Sequence, residues 1–166
     1  MGKILSRGLL ALYLVILIWL VLFKLQYNIL SVLFNYHHRS LNLIPFAAPS
    51  IVNGSFREMI DNVIIFIPFG LLLNVNFKEV GFLPKFAFIL VLSLTFELIQ
   101  FIFAIGATDI TDVITNTVGG FLGLKLYGLS NKYINYKKLD RVIIFVGILL
   151  LVLLLYYRTH LIIKYS

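Results

Sequence analysis

The sequence predicts an all-α polytopic membrane protein, with about five transmembrane helices packed in one bundle. Three observations predict it. Of 166 residues, 61% are apolar on a broad count, more than one small globular core could hide from water. The apolar residues fall in long runs bounded by charge, and about 20 such residues cover the hydrocarbon of a bilayer. The bases, 14 Lys and Arg against 7 Asp and Glu, sit mostly in the gaps between runs, where they read as topology signals.

The spans follow in order. The first covers about residues 4–23, the second 60–77, the third 86–105, the fourth 110–129 and the fifth 142–157. The fourth is the most polar, with Asp112, three threonines, Asn116 and several glycines, but its polar residues share one face and the rest is apolar. Lys3 and Arg7 ahead of an apolar run resemble the start of a secretory signal. The run is longer than most signal cores, and no small-x-small site precedes Lys24, so a retained span is expected. The whole chain, residues 1–166, reads as one integral membrane domain.

Five spans put Lys3, Arg7, Lys78, Lys85, Lys125, Lys132, Lys137, Lys138 and Arg141 on one side and Lys24, Arg39, Arg57, Arg158 and Lys164 on the other. The positive-inside rule then predicts a cytoplasmic N-terminus and an external C-terminus. Tyr127, Tyr133 and Tyr136 are expected interfacial anchors.

Composition and motif also exclude. No aromatic-interleaved basic stretch of the RNA-binding kind occurs, which argues against nucleic acid as a partner. Cysteine is absent, which removes disulfides, thiolate metal sites and cysteine nucleophiles together. No Walker loop, dinucleotide fingerprint or nucleophile elbow occurs. His37-His38 has no spaced partner, and no metal or cofactor is expected. Asn53-Gly54-Ser55 matches a glycosylation acceptor but reads better as an Asn-Gly turn.

What remains is a constellation of polar residues. On the third span Ser93, Glu97, Gln100 and Ala104 recur at four- and three-residue steps and form one stripe. The short link Gly106-Ala107-Thr108 makes the third and fourth spans antiparallel neighbours. On the fourth, Asp109, Asp112, Asn116, Gly119, Gly120 and Gly123 share a face, polar at one end and small further in, and the Gly119-x-x-x-Gly123 spacing admits a close helix neighbour. On the second, Glu58, Asn62, Phe66 and Phe69 share a stripe, and Pro68 removes the hydrogen bond that the Ile64 carbonyl would accept, so a kink is expected. The segment 39–46 is too apolar for an ordinary hydrated loop and too short and Pro-broken to span. It is expected to lie in the interface or re-enter the bundle.

By this topology Arg39, Asn42, Glu58, Asn62, Glu97, Gln100, Asp109, Asp112 and Asn116 converge in the outer half of the membrane. A charge at mid-bilayer costs roughly 2.5–3.5 kcal/mol on insertion scales, so Glu97 is expected to be paired, hydrated or protonated, with Arg39 as the counter-ion. The plainer alternative for Asn62, Gln100 and Asn116 is that they join helices by hydrogen bonds.

The motifs RSLNLIPF (39–46), EMIDNVIIFIPFG (58–70), Glu97 with Gln100, and DITDVITNTVGGFLG (109–123) together resemble the VanZ-like family over about residues 39–124. Gly70 closes the second of them, with packing as its expected role. The resemblance implies a multi-pass protein of the bacterial cytoplasmic membrane. The family's namesake is associated with resistance to teicoplanin, a glycopeptide that carries a fatty acyl chain. Some relatives have an arginine just before the first aspartate of the last motif, where this chain has Ala107 and Thr108.

Three functions compete on the sequence. The first is a non-enzymatic envelope protein that binds or shields a membrane ligand, either a lipid-linked cell-wall precursor or an acylated glycopeptide, through an outward-facing polar cluster. The second is a small enzyme acting on a lipid head group, with Asp109, Asp112 and Glu97 as acids, bases or metal ligands, though no nucleophile accompanies them. The third is proton-coupled transport through Glu97, for which five short spans leave little room. Membrane lipids are expected partners in every case, and the sequence carries no sign of oligomeric state.

Overall fold

The computed structural model describes residues 3–23, 40–46, 54–105 and 107–165. Among them are five helices and two short strands: α1 (Lys3–Phe23), β1 (Ser40–Asn42), α2 (Gly54–Asn76), α3 (Phe82–Phe103), β2 (Ala107–Asp109), α4 (Ile110–Tyr133) and α5 (Tyr136–Tyr165). Three of the helices are long and apolar enough to cross a membrane, namely α1, α2 from Phe56 to Asn76, and α3. Helix α4 has the length, at 24 residues, but is visibly more polar. Large apolar side chains point outward along the bundle, among them Leu83, Val91, Leu98 and Phe145, each more than half exposed. Such a surface suits hydrocarbon rather than water.

Local chemistry sets the helix ends. Gly81, extended, precedes α3, and Pro84 falls in its first turn, where the missing N–H costs nothing. Asp109 caps α4, with Asp112 following in the first turn, the end of the helix dipole that favours acid. Asn135 Oδ1 accepts the Lys137 N–H at 2.9 Å at the start of α5. Pro68 lies inside α2, which continues through it to Asn76. Beside it, the Tyr13 hydroxyl of α1 donates to the Ile65 carbonyl at 2.6 Å, tying α1 to α2 next to the peptide that proline perturbs.

The centre of the bundle is the pair α2 and α4. A Cβ on Gly119 would strike the Val63 carbonyl oxygen, one on Gly123 the Ile67 carbonyl oxygen, and one on Gly70 the Gly120 carbonyl oxygen. Backbone therefore lies against backbone along two helical turns, the close approach that small residues permit in membranes. Gly120 faces the Ile89 side chain of α3 instead. Around this spine Leu17 of α1, Phe66, Phe69 and Leu72 of α2, and Ile89 and Phe96 of α3 are almost fully buried. Phe66 packs edge-on against both Phe69 and Phe96, with ring centroids 6.1 and 6.4 Å apart.

Two polar ends flank this core. At one, Asn76 Nδ2 of α2 donates to the Ser6 carbonyl of α1 at 3.2 Å, the buried Lys85 donates to Asn74 Oδ1 at 2.6 Å, and Lys78 pairs with Asp140 of α5. Tyr127 differs from the expectation of an interfacial anchor. It is 7% exposed, and its hydroxyl donates to Asp140 Oδ1 at 2.8 Å. Tyr133 and Tyr136 are exposed.

The helices are joined by one short strand pair that helix periodicity does not announce. β1 and β2 pair in parallel, with Ser40 opposite Ala107, Leu41 opposite Thr108 and Asn42 opposite Asp109. The segment expected to lie in the interface or re-enter is, over Ser40–Asn42, a strand laid beside the α3–α4 link.

Candidate functional site

The second polar end is built on the reversal between α3 and α4. Ala104 closes α3 with φ 53° and ψ 36°, the left-handed conformation. Its N–H bonds to the Phe101 carbonyl at 3.4 Å and that of Ile105 to the Gln100 carbonyl at 3.1 Å, the paired bonds of a Schellman stop. An alanine in this conformation carries about 1–2 kcal/mol of strain that glycine would not.

The stop throws β2 back across the end of α3, over Glu97. Glu97 Oε2 accepts the Asp109 N–H at 2.9 Å, and Thr108 Oγ1 donates to the Glu97 carbonyl at 3.4 Å. Asp109 then links three elements. Its Oδ1 accepts the Thr111 N–H at 2.7 Å, capping α4, and its Oδ2 accepts from Asn42 Nδ2 of β1 at 3.0 Å. Asn42 Oδ1 accepts the Ile44 N–H at 3.2 Å, and Thr111 Oγ1 accepts the Phe46 N–H at 3.1 Å. The result is a polar latch that fastens segment 40–46 to α3 and α4 through Glu97, Asp109 and Thr111.

One turn into α4, Asp112 Oδ1 accepts from Asn62 Nδ2 of α2 at 2.9 Å. Glu58 stands one turn before Asn62 on α2, partly buried. Deeper, Asn116 Nδ2 donates to Ser93 Oγ at 3.0 Å, both side chains having no exposed surface. Gln100 Nε2 turns the other way and donates to the Val21 carbonyl of α1 at 3.1 Å. Gln100 Oε1, Asn116 Oδ1 and Thr117 Oγ1 are buried with no hydrogen-bond partner among the described residues.

The sequence-derived cluster is thus divided by the structure. Asn42, Glu97 and Asp109 form the latch, Asn62 and Asp112 a rung between α2 and α4, and Gln100 and Asn116 separate helix-to-helix links. Arg39, the expected counter-ion of Glu97, lies outside the described residues, as do His37, His38 and Asn53. Among the described residues no three His, Asp or Glu side chains gather as metal ligands would. Sequence reasoning passed over Thr108 and Thr111, which bond to the latch, and Tyr13, whose only signal was a tyrosine inside an apolar run.

The segment that the latch holds forms an apolar ledge. Leu41, Leu43, Ile44 and Phe46 are each more than half exposed, while the backbone N–H groups of Ile44 and Phe46 are tied to Asn42 and Thr111. The site is therefore amphipathic, joining bonded carboxylates and amides to exposed hydrocarbon. The carboxylates of Asp109 and Asp112 are bound by side-chain amides and that of Glu97 by a backbone amide, which are strong donors to such groups.

The VanZ/LLP1 family pattern matches residues 10–131. The chain belongs to the VanZ/LLP1 family. It is 88% identical over 165 residues to Protein VanZ of Enterococcus faecium, covering 99% of each chain. No solved structure matches it. The VanZ/LLP1 match takes in α1 from residue 10 onward, α2, α3, both strands and nearly all of α4, hence the latch and the glycine spine, and α5 lies beyond it.

Proposed function

We propose that this chain is a five-span protein of the bacterial cytoplasmic membrane, N-terminus inside and C-terminus outside, that protects against teicoplanin-type acylated glycopeptides by binding or shielding a membrane ligand. The latch with its apolar ledge is the site. The observation that carries this reading is the join between the two halves: the bonded polar groups of Asn42, Asp109 and Glu97 hold a segment whose Leu43, Ile44 and Phe46 are exposed. An acylated glycopeptide, or a lipid-linked wall precursor, has the same two-part chemistry, a polar head joined to a hydrocarbon tail. Pockets that fix an amphipathic ligand work this way, with a large apolar contact for affinity and a few placed polar groups for orientation. The family resemblance supplies the link to teicoplanin, and the similarity to Protein VanZ supports it.

The reading needs no chemistry from the acids. Glu97 and Asp109 orient amides, and through them the ledge, while Asp112 holds Asn62 of α2 against α4. Binding of fluorescently labelled teicoplanin and vancomycin to the protein in nanodiscs tests it. Saturable binding of the acylated drug alone, weakened about tenfold by Asp109→Asn, is expected, a loss equivalent to about 1.4 kcal/mol. Equal binding of both drugs, or wild-type binding by the latch variant, would contradict it.

A further inference from the structure

The basic end of the bundle holds a feature that the latch does not use. The first turns of α1, the end of α2 with the segment after it, and the first turns of α5 enclose a groove of about 710 Å³. Lys3, Arg7, Lys78, Lys137 and Arg141 line it, against the acids Glu79 and Asp140. Asp140 is already engaged: Lys78 Nζ donates to one of its oxygens and the Tyr127 hydroxyl to the other. Lys78 is further held over the Tyr136 ring, 4.4 Å from its centroid. Among the described residues no carboxylate stands within 4.0 Å of Lys3, Arg7, Lys137 or Arg141.

The same groove has an apolar wall. Past Arg141, one to two turns further along α5, Ile144, Phe145 and Ile148 line it, with Val75 of α2 opposite. Cations that served only to orient the chain would need no enclosure by three segments and no hydrocarbon face. Surplus positive charge at the rim and apolar surface running toward the bundle centre match a ligand with a phosphate at one end and methylene chains at the other. Basic pockets between transmembrane helices take anionic head groups in this manner. A small water-soluble anion would leave the apolar wall uncovered.

We propose that this groove binds one phosphate-bearing anionic lipid, its head group among Arg7, Lys137 and Arg141 and its first methylenes along Ile144 and Ile148. The site is independent of the latch at the other end of the bundle and of the function assigned there.

The test is native mass spectrometry of the full chain in detergent, where no membrane surface exists to attract lysines in general. The protein is presented with equimolar phosphatidylglycerol and phosphatidylcholine. One phosphatidylglycerol retained per chain, at least fivefold over phosphatidylcholine, is expected. The double variant Arg7→Gln/Arg141→Gln should erase that preference, and Arg7→Lys/Arg141→Lys should keep most of it. Arg57→Gln, an exposed residue at the opposite end, should leave it unchanged, and thermal unfolding of each variant checks that the fold is kept. Equal retention of the two lipids, or equal loss in Arg57→Gln, would overturn the proposal. So would displacement of the lipid by glycerol phosphate at equal concentration, because the apolar wall would then contribute nothing.

Discussion

Asn42 and Asp109, 67 residues apart, face each other across the parallel strand pair and share a 3.0 Å hydrogen bond from amide to carboxylate. Because Asp109 also caps α4 and its N–H reaches Glu97, this one bond couples a peripheral segment to the two helices at its back. A hydrogen bond to a charged group contributes about 1.5–3 kcal/mol, so the pair should couple measurably. A double-mutant cycle of Asn42→Ala and Asp109→Ala, followed by unfolding in mixed micelles, should return an interaction energy of at least about 1 kcal/mol. Additive losses would mean that the strand is held by its backbone alone.

The glycine spine makes a sharper contrast. Gly119→Ala and Gly123→Ala force a methyl group onto the carbonyl oxygens of Val63 and Ile67, and each should cost about 1–3 kcal/mol or more. A methyl group on Gly128, further along the same helix, would meet nothing within 4 Å. Gly128→Ala should therefore be neutral or stabilise by up to about 1 kcal/mol through helix propensity. Thermal unfolding of the three variants in one detergent checks the order.

Tyr13→Phe removes only a hydroxyl, the donor to the Ile65 carbonyl. The expected loss is about 0.5–1.5 kcal/mol, read in the same unfolding assay. A variant as stable as wild type would mean that the packing of the ring, and not its hydroxyl, joins α1 to α2.

Orientation is open to a direct reading because the chain has no cysteine. Ile44→Cys, on the ledge, should react with a membrane-impermeant maleimide in intact cells, and Lys132→Cys only after the cells are opened. The reverse pattern would place the latch at the cytoplasmic face and remove it from the path of any external drug.

Much of the bundle was legible in the sequence, because helix periodicity and apolar run length are local properties. Ser93, Glu97 and Gln100 lie on one buried face of α3, as their spacing predicts, and α1 to α3 extend only a few residues beyond the runs that announced them. The strand pair was not legible. Three residues of Ser40–Asn42 carry no alternation, their partners are 67 positions away, and only the polar identity of Asn42 and Asp109 hinted that they meet. The spacing that put Gln100 with Glu97 could not say that its amide would turn to the Val21 carbonyl, since that depends on where α1 packs. Tyr127 was read as an anchor because interfacial tyrosines are common, and it is buried because Asp140 of α5 supplies an acceptor that no single-helix pattern reveals.

The measurement that bears most directly on the central claim is drug susceptibility in a strain lacking this gene, complemented with wild type, Glu97→Gln and Asp112→Asn at equal membrane levels. Teicoplanin is compared with non-acylated vancomycin. The account predicts that wild type protects selectively against teicoplanin and that both variants lose most of that protection. Protection by the variants equal to wild type, or no effect of any form on either drug, would contradict it.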